Sequence, residues 1–201
     1  MTAILALVLA YLIGAVPFGY LLVRLKTGRD VRASGSGNIG ATNVLRTTGR
    51  AAGVATLLLD IGKGYFAVWL AGNLTAHSPL WMSAAALAVM LGHGFPVFLK
   101  FKGGKAVASF VGAFLALAPL ALGAVLLVFV LVVAFTRYIS LGSIVAAACL
   151  PFAVWLVPRS QVSVVAAAAL GGAFIVWRHK SNLRRLRAGT EHSFSFGGNR
   201  N

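Results

Sequence analysis

The sequence has almost no acid. Asp30, Asp60 and Glu191 are its only acidic residues, against 18 Lys and Arg, which leaves a formal net charge of +15 over 201 residues. Charged residues of both signs make up 10% of the chain and hydrophobic ones 59%. No polar stretch is long enough to fold as a soluble domain, so a single membrane domain over 1–201 is expected. Cysteine is nearly absent too. Cys149 stands alone in an apolar run, which excludes a disulfide framework and a thiolate metal site. No basic residue precedes the first apolar run, whereas a secretory signal carries its charge ahead of its apolar core.

What the chain does have is apolar length. Runs of about 18 residues or more recur, and only helices of that kind satisfy their own backbone in lipid. The fold class is therefore an all-α integral membrane protein. In such a protein a basic excess first signals orientation and contact with anionic lipid, not nucleic acid. It also suits an anionic substrate.

Spans are expected at 2–23, 51–71, 80–99, 106–118, 120–136, 141–157 and 162–177, with Pro17 and Gly14 bending the first. The apolar region 106–136 decides the topology. Crossed once, it puts Arg137 outside and, two spans later, Arg178, Lys180, Arg184, Arg185 and Arg187 as well. Broken at Pro119 and crossed twice, it keeps all of them inside. Two spans of about 15 residues reach only about 22 Å against a core of about 30 Å, so the hairpin tip should stay below the outer surface. The result is a seven-transmembrane-helix bundle with its N-terminus outside and its C-terminus cytoplasmic. The loops 24–50, 100–105 and 137–140 and the tail 178–201 then share the inner side. Every Lys and Arg lies on that side except Arg159 and the intramembrane Lys63. The tail should lose order after His192, where small and polar residues dominate. No inverted repeat relates the halves.

The polar chemistry is concentrated at 33–46, ASGSGNIGATNVLR. Gly35, Gly37 and Gly40 allow sharp turns and close approach of a ligand. Successive amides in such turns can form a concave anion site. Ser36, Asn38, Thr42 and Asn43 add neutral hydrogen-bonding groups, and Arg46 adds a fork for phosphate oxygens. On composition alone, a phosphate loop and a polar connector remain equal readings. The run 35–40 also spells G-x-G-x-x-G, but a membrane span precedes it where a dinucleotide site needs a strand.

A second polar stretch, 92–105, reads GHGFPVFLKFKGGK. Gly103 and Gly104 before Lys105 can present amides and an ammonium to phosphate. Lys100 and Lys102 read as a basic flank. His93 fits a hydrogen-bonded structural residue better than a base. A coenzyme-A-dependent H-x-x-x-x-D motif would need Asp where Phe98 stands. Asp60 and Lys63, one turn apart inside a span, are either functional or simply neutralise each other; both readings stay open. In the tail, His179, Asn182, Arg185 and Glu191 could reach back under the bundle, or the tail could only touch lipid headgroups.

Taken together, SGSGNIGATNVLR at 34–46, GHGFPVFLKFKGGKAVAS at 92–109 and RHKSNLRRLRAGTEH at 178–192 resemble the three cytoplasmic motifs of the bacterial acyl-phosphate:glycerol-3-phosphate acyltransferases, the PlsY type. Ala106 stands where that family has glycine, and Ser109 where threonine is usual. The resemblance implies seven spans in the bacterial inner membrane. It also implies acyl transfer from acyl phosphate to the 1-hydroxyl of glycerol 3-phosphate, as the first acylation of phospholipid synthesis. It implies no cofactor, no metal and no obligatory protein partner; the partners are the two substrates and the bilayer. Carried over by position, Ser36, Gly37, Asn38 and Gly40 would cradle acyl phosphate. Arg46, Lys105, His179 and Asn182 would grip phosphate groups, and Ser36, Arg46 and Lys105 would act in catalysis. Thr42, Asn43, His93, Gly103, Gly104 and Ser140 would support binding, and Glu191 would shape the site or orient the glycerol.

Two other classes fit part of the sequence. An organic-phosphate transporter would place its polar groups near the midplane, where only Asp60 and Lys63 lie. A non-catalytic lipid-binding subunit would explain the basic tail but not the two glycine motifs.

Overall fold

Proline cuts the first apolar run. In a computed structural model, which describes residues 1–194, α1 (Thr2–Ala15) stops before Pro17 and α2 (Phe18–Thr27) resumes after it. Proline lacks an N–H and cannot continue the hydrogen-bond ladder of the turn before it. Arg24 and Lys26 lie in the last turn of α2, where cations complement the helix dipole, and Gly28 ends it with φ of 70°. The segment expected as a loop at 24–50 then holds a one-turn helix, Val31–Ala33, and α3 (Ala41–Thr48). Next come α4 (Arg50–Leu74), α5 (Pro79–Gly94) and α6 (Val107–Leu117). α7 (Pro119–Thr136) opens on Pro119 at its first turn, where a missing N–H is harmless. α8 (Ile139–Leu156), α9 (Val162–Arg178) and α10 (Lys180–Arg187) complete the described helices.

Among the described residues five stretches are long and apolar enough to cross a membrane: Thr2–Thr27, Arg50–Leu74, Pro79–Leu99, Pro119–Thr136 and Ile139–Leu156. α9 and α10, bent by 56° at their junction, make a sixth if counted together. α6 is apolar but has 11 residues, about 16 Å of helix, short of a 30 Å core by itself. The loss of order expected after His192 concerns 193–201, of which 195–201 lie outside the described residues. Within them, Phe194 N–H donates to Arg137 O at 2.7 Å.

The chain divides into two compact units, Met1–Leu117 and Ala118–Asn201. In the first, α1 packs on α5, and α4 on α6 and α5. Small residues make these crossings close. A side-chain carbon on Gly14 or Gly92 would strike the facing backbone of α5 or α1, and one on Gly64 or Gly112 that of α6 or α4. Without a solvent-driven hydrophobic force between helices in lipid, such close backbone approach is a main source of packing energy. In the second unit α7, α8 and α9 pack in sequence, with Gly172 against Ala147 O.

Candidate active site

The glycine stretch is braced from within by two asparagines. Asn43, on α3, is 2% exposed. Its Oδ1 accepts from Ser36 N–H at 2.9 Å. Its Nδ2 donates to Asn38 O at 2.8 Å, to Ser34 O at 3.1 Å and to Val31 O at 3.3 Å. Asn38 Oδ1 accepts from Gly40 N–H at 2.8 Å, an Asx turn that starts α3. Gly35 and Gly37 have φ of 60° and 70°, a region open to glycine, and a Cβ on Gly35 would strike Asn43 Oδ1. The amides of Ser36, Gly37 and Gly40 therefore point into the loop, Gly37 N–H onto Ser34 O at 3.1 Å. The loop's outward groups are side chains: Ser36 and Arg46 are exposed, and Thr42 is half-buried in the first turn of α3.

Below the loop, Val31, Ile39 and Val44 enter one apolar cluster with Val23, Ala52 and Leu99, with Tyr20 packed against it. Leu99 belongs to the second motif, so the two motifs share a footing. On the flank, Asp30 accepts from Arg32 N–H at 2.9 Å and pairs with its guanidinium at 2.6 Å, while Arg32 lies 5.3 Å over the Tyr20 ring. The hydrogen bonds from Arg32 lower the Asp30 carboxyl below its usual range more than burial raises it.

The second motif doubles back on His93. Phe95 O accepts from Tyr11 Oη at 2.8 Å, fixing the end of α5. Lys100 and Phe101 turn the chain with φ of 53° and 61°, and Lys100 and Lys102 are exposed. Gly104 N–H then donates to His93 O at 3.1 Å. A Cβ on Gly103 would strike His93 O, and one on Gly104 would strike His93 Nε2. Lys105 follows, half-buried, and Ala106 holds φ of 62° before α6 begins.

Behind His93 lies a buried charged group. Lys63 Nζ is 2.8 Å from Asp60 Oδ1 and donates to Val16 O at 2.8 Å, at the break between α1 and α2. The approach to Asp60 is oblique: Oδ1 has an ion pair but no aligned hydrogen bond. His93 Nδ1 lies 3.7 Å from the same oxygen and 3.4 Å from Ser109 Oγ. Asp60, Lys63, His93 and Ser109 are all at most 5% exposed.

In the second unit a carboxylate does the gathering. Glu191 Oε1 accepts from Ser140 Oγ at 2.9 Å and from Asn182 Nδ2 at 2.7 Å, and Oε2 pairs with Arg185 Nε at 2.7 Å. Burial raises the Glu191 carboxyl, but the three hydrogen bonds outweigh it and hold the group below its ordinary value. His179 is buried, and its Nδ1 lies 2.8 Å from Ile175 O. A carbonyl only accepts, so that nitrogen carries the proton.

Many of the candidates thus fall into three groups: Ser36, Asn38, Gly40 and Asn43, with Gly37 bonded to Ser34 beside them; His93 and Gly104, with Gly103 packed against the His93 carbonyl; and Ser140, Asn182 and Glu191. The sequence showed the Asp60–Lys63 spacing, but not the link from Asp60 to His93. It showed Arg185 near Glu191, but not that the two pair. Among the described residues no three His, Cys, Asp or Glu side chains come together to hold a metal ion.

The chain matches the family model described as "Glycerol-3-phosphate acyltransferase" over residues 4–189. It is 49% identical to the glycerol-3-phosphate acyltransferase of Geobacter sulfurreducens over 185 residues, covering 92% of this chain and 94% of that one. It is 50% identical to the protein of that name from Trichlorobacter lovleyi, with the same coverage. The fold is similar to the crystal structure of PlsY (YgiH), an integral membrane glycerol 3-phosphate acyltransferase, in its glycerol 3-phosphate form. That match has a TM-score of 0.92 at 37% identity and covers 97% of this chain and 96% of that one. The lysophosphatidic acid form of the same enzyme gives a TM-score of 0.88 at 36% identity, with the same coverage. With the family model spanning nearly its whole length and curated relatives at half identity, the chain belongs to the glycerol-3-phosphate acyltransferase family.

Proposed function

We propose that this protein transfers a fatty acyl group from acyl phosphate to the 1-hydroxyl of sn-glycerol 3-phosphate. The products are 1-acyl-glycerol 3-phosphate (lysophosphatidic acid) and inorganic phosphate, and the step is the first acylation of phospholipid synthesis. The reaction takes place at the cytoplasmic face of a bacterial inner membrane. The chain crosses that membrane seven times, with its N-terminus outside and its tail inside.

One observation carries the reading. A loop with an internally braced backbone presents Ser36 and Arg46 outward, and the Lys105 motif is footed in the same apolar cluster through Leu99. A rigid loop of that kind suits a phosphorylated ligand better than a plain connector, because donors held in place lose little entropy on binding.

The chemistry needs no acyl-enzyme. The glycerol hydroxyl oxygen bonds to the acyl carbon, the bond from that carbon to the phosphate oxygen breaks, and the hydroxyl proton passes to a substrate phosphate. Arg46 and Lys105 stabilise charge on the departing phosphate, and Ser36 meets the acyl carbonyl oxygen. In the second unit, His179 and Asn182 grip a phosphate group, while Glu191 and Ser140 hold Asn182 in place.

The test is purified protein with acyl phosphate and glycerol 3-phosphate, measuring released phosphate and product lipid. Equal amounts of both are expected, with nothing from an acyl-CoA control. No turnover with acyl phosphate removes the assignment. Acyl phosphate alone, followed by hydroxylamine or mass spectrometry, should leave the protein unmodified; a stoichiometric acyl-protein defeats direct attack.

A further inference from the structure

The buried Asp60–Lys63 pair is costly as a stabilising device. An ion pair taken out of water loses several kcal/mol of solvation per charge, and an apolar pair of similar volume often serves stability as well or better. The geometry here gives Asp60 a second partner. His93 Nδ1 stands 3.7 Å from the oxygen that Lys63 approaches, and Ser109 Oγ lies 3.4 Å from the same nitrogen. The opposite edge of the ring, at Nε2, lies so close to Gly104 that no Cβ fits between them, and His93 O accepts the Gly104 N–H. The ring is thus held between a carboxylate on α4 and the backbone just before Lys105.

We propose that Asp60 is a positioning residue for the Lys105 loop and acts through His93. The carboxylate charge, 3.7 Å from His93 Nδ1, favours the tautomer with its proton on that nitrogen, which then donates to Ser109 Oγ, and the two together set the plane of the ring. The ring and the His93 carbonyl together set where Gly104, and hence Lys105, can lie. Lys63 pairs with Asp60 at 2.8 Å and ties it to Val16 O at the break between α1 and α2. The inference rests on the acyl-transfer reading for its kinetic readout, but not for its spectroscopic one.

The first experiment replaces the pair by an apolar one, Asp60→Leu with Lys63→Met, which leaves no unpaired buried charge. The variant should melt in detergent at or near the wild-type temperature. Its kcat should fall about 10- to 100-fold, the size of loss seen when the outer partner of a metal-bound histidine is removed, while KM for glycerol 3-phosphate moves much less. Adding His93→Gln should cost little more, because both changes remove one device. Wild-type kcat in the double variant, or a full independent loss from His93→Gln on top of it, overturns the proposal.

The second experiment needs no turnover and no variant. The side-chain nitrogen-15 shifts of His93 in the wild-type protein should show the proton on Nδ1; a proton on Nε2 alone overturns the inference even if the enzyme is active. If the wild type does not transfer acyl groups but His93 carries its proton on Nδ1, the functional reading fails and the positioning device stands.

Discussion

The two motif-bearing units are braced in opposite ways. In the first, the loop that displays Ser36 and Arg46 is held by neutral amides, Asn43 and Asn38, and by glycines at positive φ. In the second, Asn182 and Ser140 are held by a carboxylate, Glu191, with Arg185 completing its shell. A neutral brace keeps its strength over the whole working pH range and leaves the local positive charge free for an anionic ligand. A charged brace is stronger per contact but depends on one proton. The comparison therefore separates a loop at 34–43 whose own side-chain braces resist acid from a tail whose brace does not.

The largest expected effect comes from breaking the neutral brace. Asn43→Ala leaves Ser36 N–H and three carbonyls without their side-chain partner, a local cost of about 2–4 kcal/mol at about 0.5–1 kcal/mol for each of the four bonds. Activity should fall at least as far as it does when Arg46 is removed. Asn43→Asp should not rescue it, since a carboxylate would face the carbonyls of Val31, Ser34 and Asn38. Near-wild-type turnover in Asn43→Ala would show that the loop is shaped by other contacts.

Next come the cations of the two glycine motifs. Arg46→Ala and Lys105→Ala should each lose about 10- to 150-fold in turnover, the equivalent of about 1.5–3 kcal/mol for a charge-assisted phosphate contact. The proteins should still fold. Lys100→Ala, on the exposed flank, should be mild by comparison. Equal losses at Lys100 and Lys105 would erase the distinction drawn between flank and site.

The charged brace is sharpened by pH. The folded Glu191 carboxyl lies below its ordinary value of 4.5, so its stabilising contribution is complete above that value and is lost as the pH falls through the lower folded one. Hydrogen exchange at Phe194, whose N–H is bonded to Arg137 O, reports on this part of the tail. The protection factor, which is the exchange rate corrected for the intrinsic slowing of amide exchange in acid, should fall on acidification in the wild type. In Glu191→Gln it should already be lower at neutral pH and change little with acid, for a loss of about 1–2 kcal/mol. An unchanged acid response in Glu191→Gln would assign the titration to another group.

Class and family were legible because they rest on local information. Apolar run length gives a helical membrane protein, and three contiguous motifs give the family. The break at Pro119 was legible for the same reason, since proline acts on its own turn. Asp60 and Lys63 could be paired from their spacing on one helix. His93 could not be added, because its approach depends on how α5 packs on α4, through contacts more than thirty residues apart in the chain. Asn43 was visible as a polar group, but its inward direction was not. A side chain's face on an eight-residue helix follows from what packs beneath it, here Val44, Ile39 and Leu99. Among the described residues the five or six stretches long enough to span, against seven expected, turn on α9, which passes only together with α10, and on α6, whose 11 residues are short.

The smallest effect tests the junction of loop and helix in the first unit, and its sign is the reverse of the others. Ala106 is 1% exposed and sits at φ of 62°, directly after Lys105. A left-handed backbone costs an L-residue about 1–2 kcal/mol that glycine does not incur, although glycine loses more entropy on folding. Here the alanine methyl is buried, so its removal also forfeits a little packing. Ala106→Gly should therefore raise the melting free energy modestly, by about 1 kcal/mol, with turnover changed less than about threefold. A destabilised Ala106→Gly protein would mean that the methyl's packing outweighs the backbone strain. A more stable but much slower one would mean that the strain itself holds Lys105 in its working position, and the first unit would then depend on a stressed backbone as much as on its side-chain braces.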